Sequence, residues 1–203
     1  EPSERARVAG AVNALKFDGD RILADNFDGI GLTRDVTHNL GVPLANKRVL
    51  ILGAGGATRG ALLPILAQGP AEVVIVNRTV AKAEELAQLA CKHQSGAVPV
   101  HGVGYADLRA RSFDVVFNAT SASLRGELPP VPVCVFADCS LAYELAYGKG
   151  LTPFLRLAAN SGVRLLADGV GMLTEQAAEA FYWWRGVRPD TSRLIAQLTV
   201  PLD

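Results

Sequence analysis

The stretch Lys47–Gly60, KRVLILGAGGATRG, decides how the rest of the chain is interpreted. The apolar run Val49–Gly53 is typical of a buried parallel strand, and the segment Ala57–Ala67 has the composition of a helix. Between them lies a turn whose glycines let the backbone approach a ligand closely, Gly53, Gly55 and Gly56. Because this turn leads into a helix N-terminus, the free N–H groups there favour an anion. Strand, glycine turn and helix in this order predict a dinucleotide-binding fingerprint.

The spacing of these glycines departs from the usual G-x-G-x-x-G pattern. Thr58 stands where the third glycine is expected, and Gly60 follows one helical turn into the helix. A small residue at Gly60 allows the helix to pack closely on the sheet. A tight turn with a purely structural role is the alternative interpretation of the glycines, but the flanking strand and helix favour a cofactor.

Composition and charge limit the classes of function. The chain of 203 residues has 20 Lys plus Arg and 20 Asp plus Glu, so its formal net charge is zero. Since the charges are also dispersed, we expect no nucleic-acid binding. No apolar segment approaches the ~18–20 residues of a membrane span, and the polar start does not resemble a signal peptide. The cysteines and histidines lack metal-ligand spacing, so we expect no metal site and a cytoplasmic protein with reduced cysteines.

Strands and helices alternate along most of the chain. Further strands are predicted at 72–76, 97–100, 113–117, 133–137 and 163–167, and helices at 28–40, 80–92, 152–160, 172–184 and 193–198. Ahead of them, we predict a short helix capped by Ser3 and a hairpin around Asp18-Gly19-Asp20, whereas segment 125–132 is predicted to be a loop. The alternation predicts an α/β fold of the Rossmann type with a doubly wound parallel sheet. Ligands of such sheets lie at the carboxyl ends of the strands.

Cationic side chains follow the strand predicted at 72–76. Asn77-Arg78-Thr79 comes directly after it, and Lys82 lies one helical turn further on. Enzymes selective for NAD usually have an acid here that holds the ribose 2′-hydroxyl. Arg78 could instead pair with a 2′-phosphate and stack on adenine, with Lys82 adding a second charge. A solvated arginine is the alternative, but the position in the fold favours the phosphate and therefore NADP.

Short polar side chains follow the strand predicted at 113–117. The sequence there is Asn118-Ala119-Thr120-Ser121, which could contact the nicotinamide half of a dinucleotide. An ordinary polar turn fits the same composition equally well. This segment alone therefore does not decide between the two.

Candidate substrate-binding side chains lie near both ends of the chain. The segment Asp25-Asn26-Phe27-Asp28-Gly29 places two carboxylates before a predicted helix. Asp28 could cap that helix, which is the commoner role, or it could bind a substrate hydroxyl or hold a catalytic lysine. Gln176 lies one turn into a helix opened by Gly169-Val170-Gly171-Met172, and Tyr147 follows the strand predicted at 133–137. Each of these two side chains is either solvated or directed at a polyol.

Six motifs, in this order, resemble signatures of the shikimate dehydrogenase family over essentially the whole chain. They are Gly10-Ala11-Val12-Asn13, Asp25-Asn26-Phe27-Asp28-Gly29, Gly53-Ala54-Gly55-Gly56-Ala57-Thr58-Arg59-Gly60, Asn77-Arg78-Thr79, Asn118-Ala119-Thr120-Ser121 and Gly171-Met172-Leu173 with Gln176-Ala177-Ala178. The resemblance implies reversible hydride transfer between NADPH and the carbonyl of 3-dehydroshikimate. It also implies a small-molecule substrate, shikimate or 3-dehydroshikimate, as the binding partner.

The resemblance assigns roles to individual residues. It implies that the hydroxyls and ring of shikimate are bound by Asn13, Asp28, Tyr147 and Gln176, with Asp28 as the catalytic residue. The residues expected to hold NADP are Gly53, Ala54, Gly55, Gly56, Ala57, Asn77, Arg78, Thr79, Lys82, Asn118, Thr120, Ser121, Leu145, Gly169 and Met172. It further implies three parts: residues 1–27 as the remnant of a second, substrate-binding domain, residues 28–169 as the NADP-binding domain, and residues 170–203 as helices that return to the substrate domain.

The chain also departs from the family pattern. The family usually has threonine at the positions of Ala14 and Phe27 and glycine near Ser123, which bears on substrate preference or rate. Family members carry an acid–base lysine ahead of the G-A-V-N motif, and neither Lys16 nor Lys47 matches that lysine's motif. We therefore expect a C-terminal part of a longer enzyme with poor turnover on its own.

Two alternatives remain open at this point. One is an NADP-binding module that performs no turnover. The other is a quinate/shikimate dehydrogenase that uses NAD, against which Arg78 and the lack of an acid after Val76 argue.

Overall fold

A six-stranded parallel sheet and a separate hairpin form the framework of the computed structural model, which describes residues 1–94 and 96–202. The parallel sheet contains β3 (Arg48–Leu52), β4 (Glu72–Val76), β5 (Val100–Val103), β6 (Val115–Asn118), β7 (Leu141–Glu144) and β8 (Leu165–Ala167). Their spatial order is β5-β4-β3-β6-β7-β8, so the order reverses beside β3. This is the doubly wound order of dinucleotide-binding sheets, and the predicted α/β fold is confirmed.

The hairpin and the helices account for most of the remaining chain. The hairpin strands β1 (Ala14–Asp18) and β2 (Arg21–Asp25) pair antiparallel, as predicted. The helices are α1 (Glu4–Ala9), α2 (Asp28–Arg34), α3 (Gly56–Leu66), α4 (Val80–His93), α5 (Pro153–Asn160), α6 (Val170–Arg185) and α7 (Ser192–Leu198). Ser3 caps α1 as predicted, since its hydroxyl oxygen accepts a hydrogen bond from the Ala6 N–H at 3.1 Å.

The central strand β3 is buried on both faces. Val49 and Ile51 pack in a cluster with residues of α2, α3 and α4. Leu50 and Leu52 pack in a second cluster with residues of α5 and of the segment Val133–Phe136. Burial on both faces explains why the strand is a continuous apolar run rather than an alternating one.

A third, smaller cluster connects the hairpin to two helices. Ala14, Phe27 and Ala180 are buried there, with Ile30 and Trp183 packed against them. The rings of Phe27 and Trp183 meet edge to face at 5.6 Å between centroids. The predicted division of the chain at residues 27/28 and 169/170 remains a prediction. Asp203, the last residue of the predicted part 170–203, lies outside the described residues.

The strand predicted at 133–137 is wrong. Val133–Phe136 forms a 3-10 helix, and the strand is β7, Leu141–Glu144. A short apolar run does not distinguish a buried strand from a buried helical turn, and Pro132 directly before it removes a ladder donor. The true strand ends in the acid Glu144, which conceals its buried character in the sequence.

Among the other elements, two depart most from their predicted bounds. The strand expected at 97–100 is β5, Val100–Val103, which contains Gly102. A Cβ atom at Gly102 would overlap the backbone of α4, so glycine here permits close packing while it weakens the strand pattern. The helix expected at 28–40 is α-helical only to Arg34 and continues as the π-helical turn Asp35–Asn39.

Candidate functional site

The glycine turn after β3 has the geometry of an anion site. Gly53 has φ +100°, and a Cβ atom there would lie 3.0 Å from the Ala119 carbonyl oxygen. Apart from the adjoining residues and the backbone of α3, no atom of the described residues lies within 4 Å of a Cβ built at Gly55 or Gly56. No side chain caps α3, and its first turn contains no acid. The N–H groups at the start of α3 are therefore available to a pyrophosphate.

Thr58, which stands in place of the third glycine of the usual fingerprint, has a structural role. Its side chain is buried, and its hydroxyl donates a hydrogen bond to the Gly53 carbonyl oxygen at 2.7 Å. This bond ties the first turn of α3 to the end of β3. The departure from the usual spacing is thus compatible with a cofactor turn.

A cavity of about 440 Å³ lies over this turn. It is bordered by predicted cofactor residues at the ends of the three adjacent strands β4, β3 and β6, namely Gly53, Ala54, Gly55, Asn77, Arg78, Thr79, Lys82, Thr120 and Ser121. Sequence reasoning missed other residues that line it, namely Tyr105, Arg125, Glu127, Leu128, Pro129 and Pro130. Tyr105 and Arg125 belong to short 3-10 turns and the others to irregular segments, and none of them carries a motif. The predicted residues Gly56, Ala57, Asn118, Leu145, Gly169 and Met172 do not line this cavity.

Arg78 and Lys82 are the charged groups predicted to hold a 2′-phosphate. Neither side chain forms a salt bridge or a hydrogen bond with any described residue. Asn77 fixes the loop instead, donating a hydrogen bond to the Thr79 carbonyl oxygen at 2.9 Å. Burial raises the pKa of Tyr105, and the positive charge of Arg78 opposes that rise. The cavity therefore contains two positive side chains, Arg78 and Lys82, that could bind an anionic group of a ligand.

Asn118 lies at the centre of a buried hydrogen-bond network. Its side chain is fully buried, and its amide donates to Glu144 Oε2 at 2.9 Å and to Ser123 Oγ at 3.2 Å. Its amide oxygen accepts hydrogen bonds from the backbone N–H and the hydroxyl of Thr120, at 3.1 and 2.8 Å. Asn118 therefore fixes the turn after β6 through its hydrogen bonds with Thr120, and it does not line the cavity. The predicted contact of Asn118 with the cofactor remains a prediction.

Glu144 is a buried carboxylate that sequence reasoning missed. It accepts hydrogen bonds from Asn118, from Ser123 and, at 3.3 Å, from Thr152. Burial raises its pKa, and these donors oppose the rise. An acid in a strand of a parallel sheet was the available signal, because such a group must find buried partners.

The start of α6 is held against β7. A Cβ atom at Gly169 would overlap the Leu145 carbonyl group, so these two predicted cofactor residues adjoin each other. The Met172 N–H donates to the Tyr143 hydroxyl at 3.2 Å, and that hydroxyl donates to Asp35 Oδ2 at 2.8 Å. Burial raises the pKa of Asp35 and moves that of Tyr143 well above its usual value.

Three of the four predicted substrate residues lie together. The Asn13 amide donates to Asp28 Oδ1 at 2.8 Å and to Gln176 Oε1 at 3.4 Å. These residues come from the segment before β1, the start of α2 and α6, so each arrives from a different element. Tyr147 is 52% exposed and forms no side-chain hydrogen bond with the residues that the structure describes.

The two carboxylates around Phe27 have different environments. Asp25 is buried and pairs with Arg5 at 2.7 Å, so it stabilises the hairpin. Asp28 is the first residue of α2, and it does not cap the helix, since Phe27 occupies the cap position and no side chain caps it. Burial raises the pKa of Asp28, while hydrogen bonds from Asn13 and Asn26 oppose the rise. Unlike Asp25, Asp28 forms no salt bridge with the described residues.

No described lysine is hydrogen-bonded to Asp28. Lys16 instead donates to the Trp183 carbonyl oxygen at 3.3 Å and lies 5.8 Å from the centroid of its ring. Within residues 1–94 and 96–202, no helix is long and apolar enough to cross a membrane. The same residues contain no group of three His, Cys, Asp or Glu side chains suited to a metal ion.

A doubly wound parallel sheet with an uncapped glycine turn and two unpaired cations defines a dinucleotide-binding α/β protein. Two family models match the chain, shikimate/quinate 5-dehydrogenase at residues 35–125 and the shikimate 5′-dehydrogenase C-terminal domain at residues 169–199. A "Shikimate dehydrogenase (NADP(+))" of Nitrosospira multiformis is 54% identical over 196 residues, which cover 97% of this chain and 70% of that protein. The chain belongs to the shikimate dehydrogenase family, and the resemblance found in its motifs is confirmed.

Solved structures agree with this assignment. An Ael1 enzyme from Pseudomonas putida matches with a TM-score of 0.94 and 61% identity, over all of this chain and 73% of that one. The shikimate 5-dehydrogenase of Thermus thermophilus, in complex with NADP(H) and shikimate, matches with a TM-score of 0.81 and 31% identity. That match covers 96% of this chain and 70% of the other.

Proposed function

We propose that the chain carries out the NADP-dependent, reversible reduction of 3-dehydroshikimate to shikimate. The observation that carries the proposal is the Asn13–Asp28–Gln176 group, assembled from three elements of a chain in this family. The names of the relatives support it, since the Nitrosospira multiformis protein is a shikimate dehydrogenase that uses NADP(+). The Thermus thermophilus structure, which holds NADP(H) and shikimate, supports the same ligands.

The residues around the glycine turn fit this cofactor. The uncapped start of α3 suits the pyrophosphate, because open space lies over Gly55 and Gly56. Arg78 and Lys82 suit the 2′-phosphate, since both lack a salt-bridge partner among the described residues. The adjoining pair Leu145 and Gly169 suits the nicotinamide end. When bound, NADP supplies the hydride acceptor or donor.

The Asn13–Asp28–Gln176 group would orient a polyol substrate. Asp28 would accept a hydrogen bond from a substrate hydroxyl and take up or return its proton, since its raised pKa moves it towards the working range of a general base. The Asn13 amide fixes the Asp28 carboxylate by its 2.8 Å hydrogen bond. Gln176 offers a second polar side chain on the facing helix. These residues hold the reacting carbon in one orientation, which is a large part of catalysis.

The first experiment measures NADP binding by calorimetry and NADPH formation from shikimate in the same sample, for the wild type and for Asp28→Asn. We expect the variant to retain NADP affinity and to lose ~10²–10⁴-fold in kcat/KM, the usual contribution of a general base. Asp138→Asn is the matched control, because it removes an exposed carboxylate that pairs with Arg48. Equal turnover by Asp28→Asn and wild type would contradict the role of Asp28.

NADP binding without turnover is the second candidate function. It is favoured by one observation, that no described lysine is hydrogen-bonded to Asp28. If the wild type binds NADP and forms no NADPH from shikimate, this candidate replaces the first. If turnover is seen with quinate and NAD but not with shikimate and NADP, the alternative dehydrogenase activity applies instead.

We propose a cytoplasmic location for the protein. It is supported by three free cysteines, Cys91, Cys134 and Cys139. Thiol labelling of the protein in intact and lysed cells, with cell fractionation, tests this location. Recovery in a membrane or exported fraction would contradict it.

A further inference from the structure

The loop after β6 carries an ion pair at the cofactor cavity. Arg125 Nη2 and Glu127 Oε2 are 2.9 Å apart, and Arg125 Nη1 donates to Ser121 Oγ at 3.1 Å. Both charged side chains line the same cavity as Arg78 and Lys82. Neither charged residue belongs to any of the six family motifs in the sequence.

Glu127 is the single acid among the described residues that line this cavity, beside three cations, Arg78, Lys82 and Arg125. The hydrogen bond from Arg125 lowers the pKa of Glu127, and the charges of Arg125 and Arg78 lower it further. Glu127 thus lies within electrostatic range of the arginine expected to hold the 2′-phosphate. It forms no salt bridge with Arg78, so the two are near but not in contact.

The Glu127 carboxylate is paired with Arg125, a side chain that could otherwise bind the 2′-phosphate of NADP. Arginine binds carboxylate and phosphate with the same bidentate geometry, so the two anions compete for one guanidinium. A 2′-phosphate would also meet the negative charge of Glu127 as a like charge. By contrast, a carboxylate at this end of the fold can accept a hydrogen bond from the free 2′-hydroxyl of NAD.

We propose that Arg125 and Glu127 set the cofactor preference of the chain, with Arg125 binding the 2′-phosphate of NADP and Glu127 competing with that phosphate. The inference rests on the proposed function, because it concerns the same NADP site. In the free protein, Glu127 neutralises Arg125. When NADP binds, Arg125 exchanges the carboxylate for the phosphate. Glu127 therefore lowers the ratio of NADP affinity to NAD affinity, and Arg125 raises it.

The test measures the Kd of NADP and of NAD by calorimetry for wild type, Glu127→Gln and Arg125→Gln. We expect Glu127→Gln to bind NADP about three- to fivefold more tightly and Arg125→Gln to bind it about three- to fivefold more weakly, the scale of exposed charge contacts. NAD affinity should not rise in Glu127→Gln and should be unchanged in Arg125→Gln. Added salt should reduce both differences for NADP, because these charges are exposed.

Two controls separate charge from folding. Arg78→Ala should lose more NADP affinity than NAD affinity, since both cofactors share the adenine and only NADP has the 2′-phosphate, and this verifies that the assay detects that phosphate. Asp138→Asn removes an exposed carboxylate paired with Arg48 outside the cavity, so it should leave the affinity ratio unchanged. Melting temperatures of all variants should agree with that of the wild type.

The outcomes are distinguishable. A wild type that does not bind NADP contradicts the proposed function itself. A wild type that binds NADP, with an unchanged affinity ratio in both variants, overturns this inference and leaves the proposed function intact. Weaker NADP binding by Glu127→Gln, or equal changes for NADP and NAD, means that the pair only orders the loop, which also overturns the inference.

Discussion

Asn13 is the side chain on which the proposed substrate site most depends. Its amide donates to Asp28 and Gln176, and its amide oxygen accepts a hydrogen bond from the Phe27 N–H at 3.0 Å. One side chain thus joins the hairpin region, α2 and α6. Its position directly before β1 fixes where these bonds form.

We expect Asn13→Ala to move the acidic limb of the kcat/KM profile to higher pH. Burial raises the pKa of Asp28 and the Asn13 hydrogen bond opposes this, so removing that donor lets the pKa rise further. Because the base must be ionised, the active fraction then appears at higher pH. Asn160→Ala, at the exposed end of α5, is the matched control. An unchanged limb in Asn13→Ala would separate Asn13 from the ionisation of Asp28.

The sequence predicts the site residues that directly follow a buried strand and carry a suitable side chain. The glycine turn and Arg78 directly follow buried strands, so the rule for strand ends finds them. Asn118 is the last residue of β6, and its buried amide is paired with Glu144 on the neighbouring strand. Arg125 and Glu127 lie in a loop without a motif, and their approach to the cavity depends on its three-dimensional path.

At the scale of elements, the start of α6 is fixed by a short hydrogen-bonded chain. Tyr143 on β7 lies between the Met172 N–H and Asp35, which begins the π-helical turn after α2. Asn39, at the end of that turn, donates to Asp35 Oδ1 at 2.9 Å. A Cβ atom at position 171 would overlap the Asp35 carboxylate, so a larger residue there would displace that side chain from its hydrogen bonds.

Replacing the Tyr143 hydroxyl should destabilise this junction. Tyr143→Phe removes an acceptor from Met172 and a donor from buried Asp35, which should lower the free energy of unfolding by about 1–3 kcal/mol. Tyr147→Phe is the control, because its half-exposed hydroxyl makes no hydrogen bond with described residues, and it should change that energy by less than ~0.5 kcal/mol. Urea unfolding of both variants measures the difference. Equal effects would exclude a special role for the Tyr143 hydroxyl.

The elements themselves were predictable where the apolar pattern is unbroken. β3 and β4 are continuous apolar runs, and both lie close to their predicted bounds. β7 and β5 were misplaced because each carries a residue that strands rarely contain, Glu144 in one and Gly102 in the other. Their tertiary partners make both residues acceptable, since hydrogen-bond donors surround Glu144 and α4 packs closely on Gly102. No local pattern reveals such partners.

At the scale of the whole molecule, the formal net charge is zero, yet two buried carboxylates have pKa values that are shifted in opposite directions. Burial raises the pKa of Glu144, despite the hydrogen bonds that it accepts. Burial also acts to raise the pKa of Glu175, but hydrogen bonds from Thr191, Asn39 and Arg34 outweigh it and leave the pKa lowered. The ion pair of Glu175 with Arg34, at 3.1 Å, connects α6 to α2.

The contributions of Glu144 and Glu175 to the free energy of unfolding should change in opposite directions with pH. The contribution of Glu144, whose folded-state pKa is raised, is complete below the ordinary Glu value of ~4.3 and is lost as pH rises through the folded-state pKa. The contribution of Glu175, whose folded-state pKa is lowered, is present above ~4.3 and is lost as pH falls through the folded-state pKa.

We therefore expect the difference in unfolding free energy between wild type and Glu144→Gln to shrink as pH rises from about 4, the ordinary range of a Glu carboxyl. The difference between wild type and Glu175→Gln should instead shrink as pH falls below that range. Urea unfolding from pH 3.5 to 8 for the three proteins would measure both slopes, with each variant serving as the other's control. Slopes of the same sign would show that the two carboxylates do not have the opposite environments that their hydrogen-bond partners indicate.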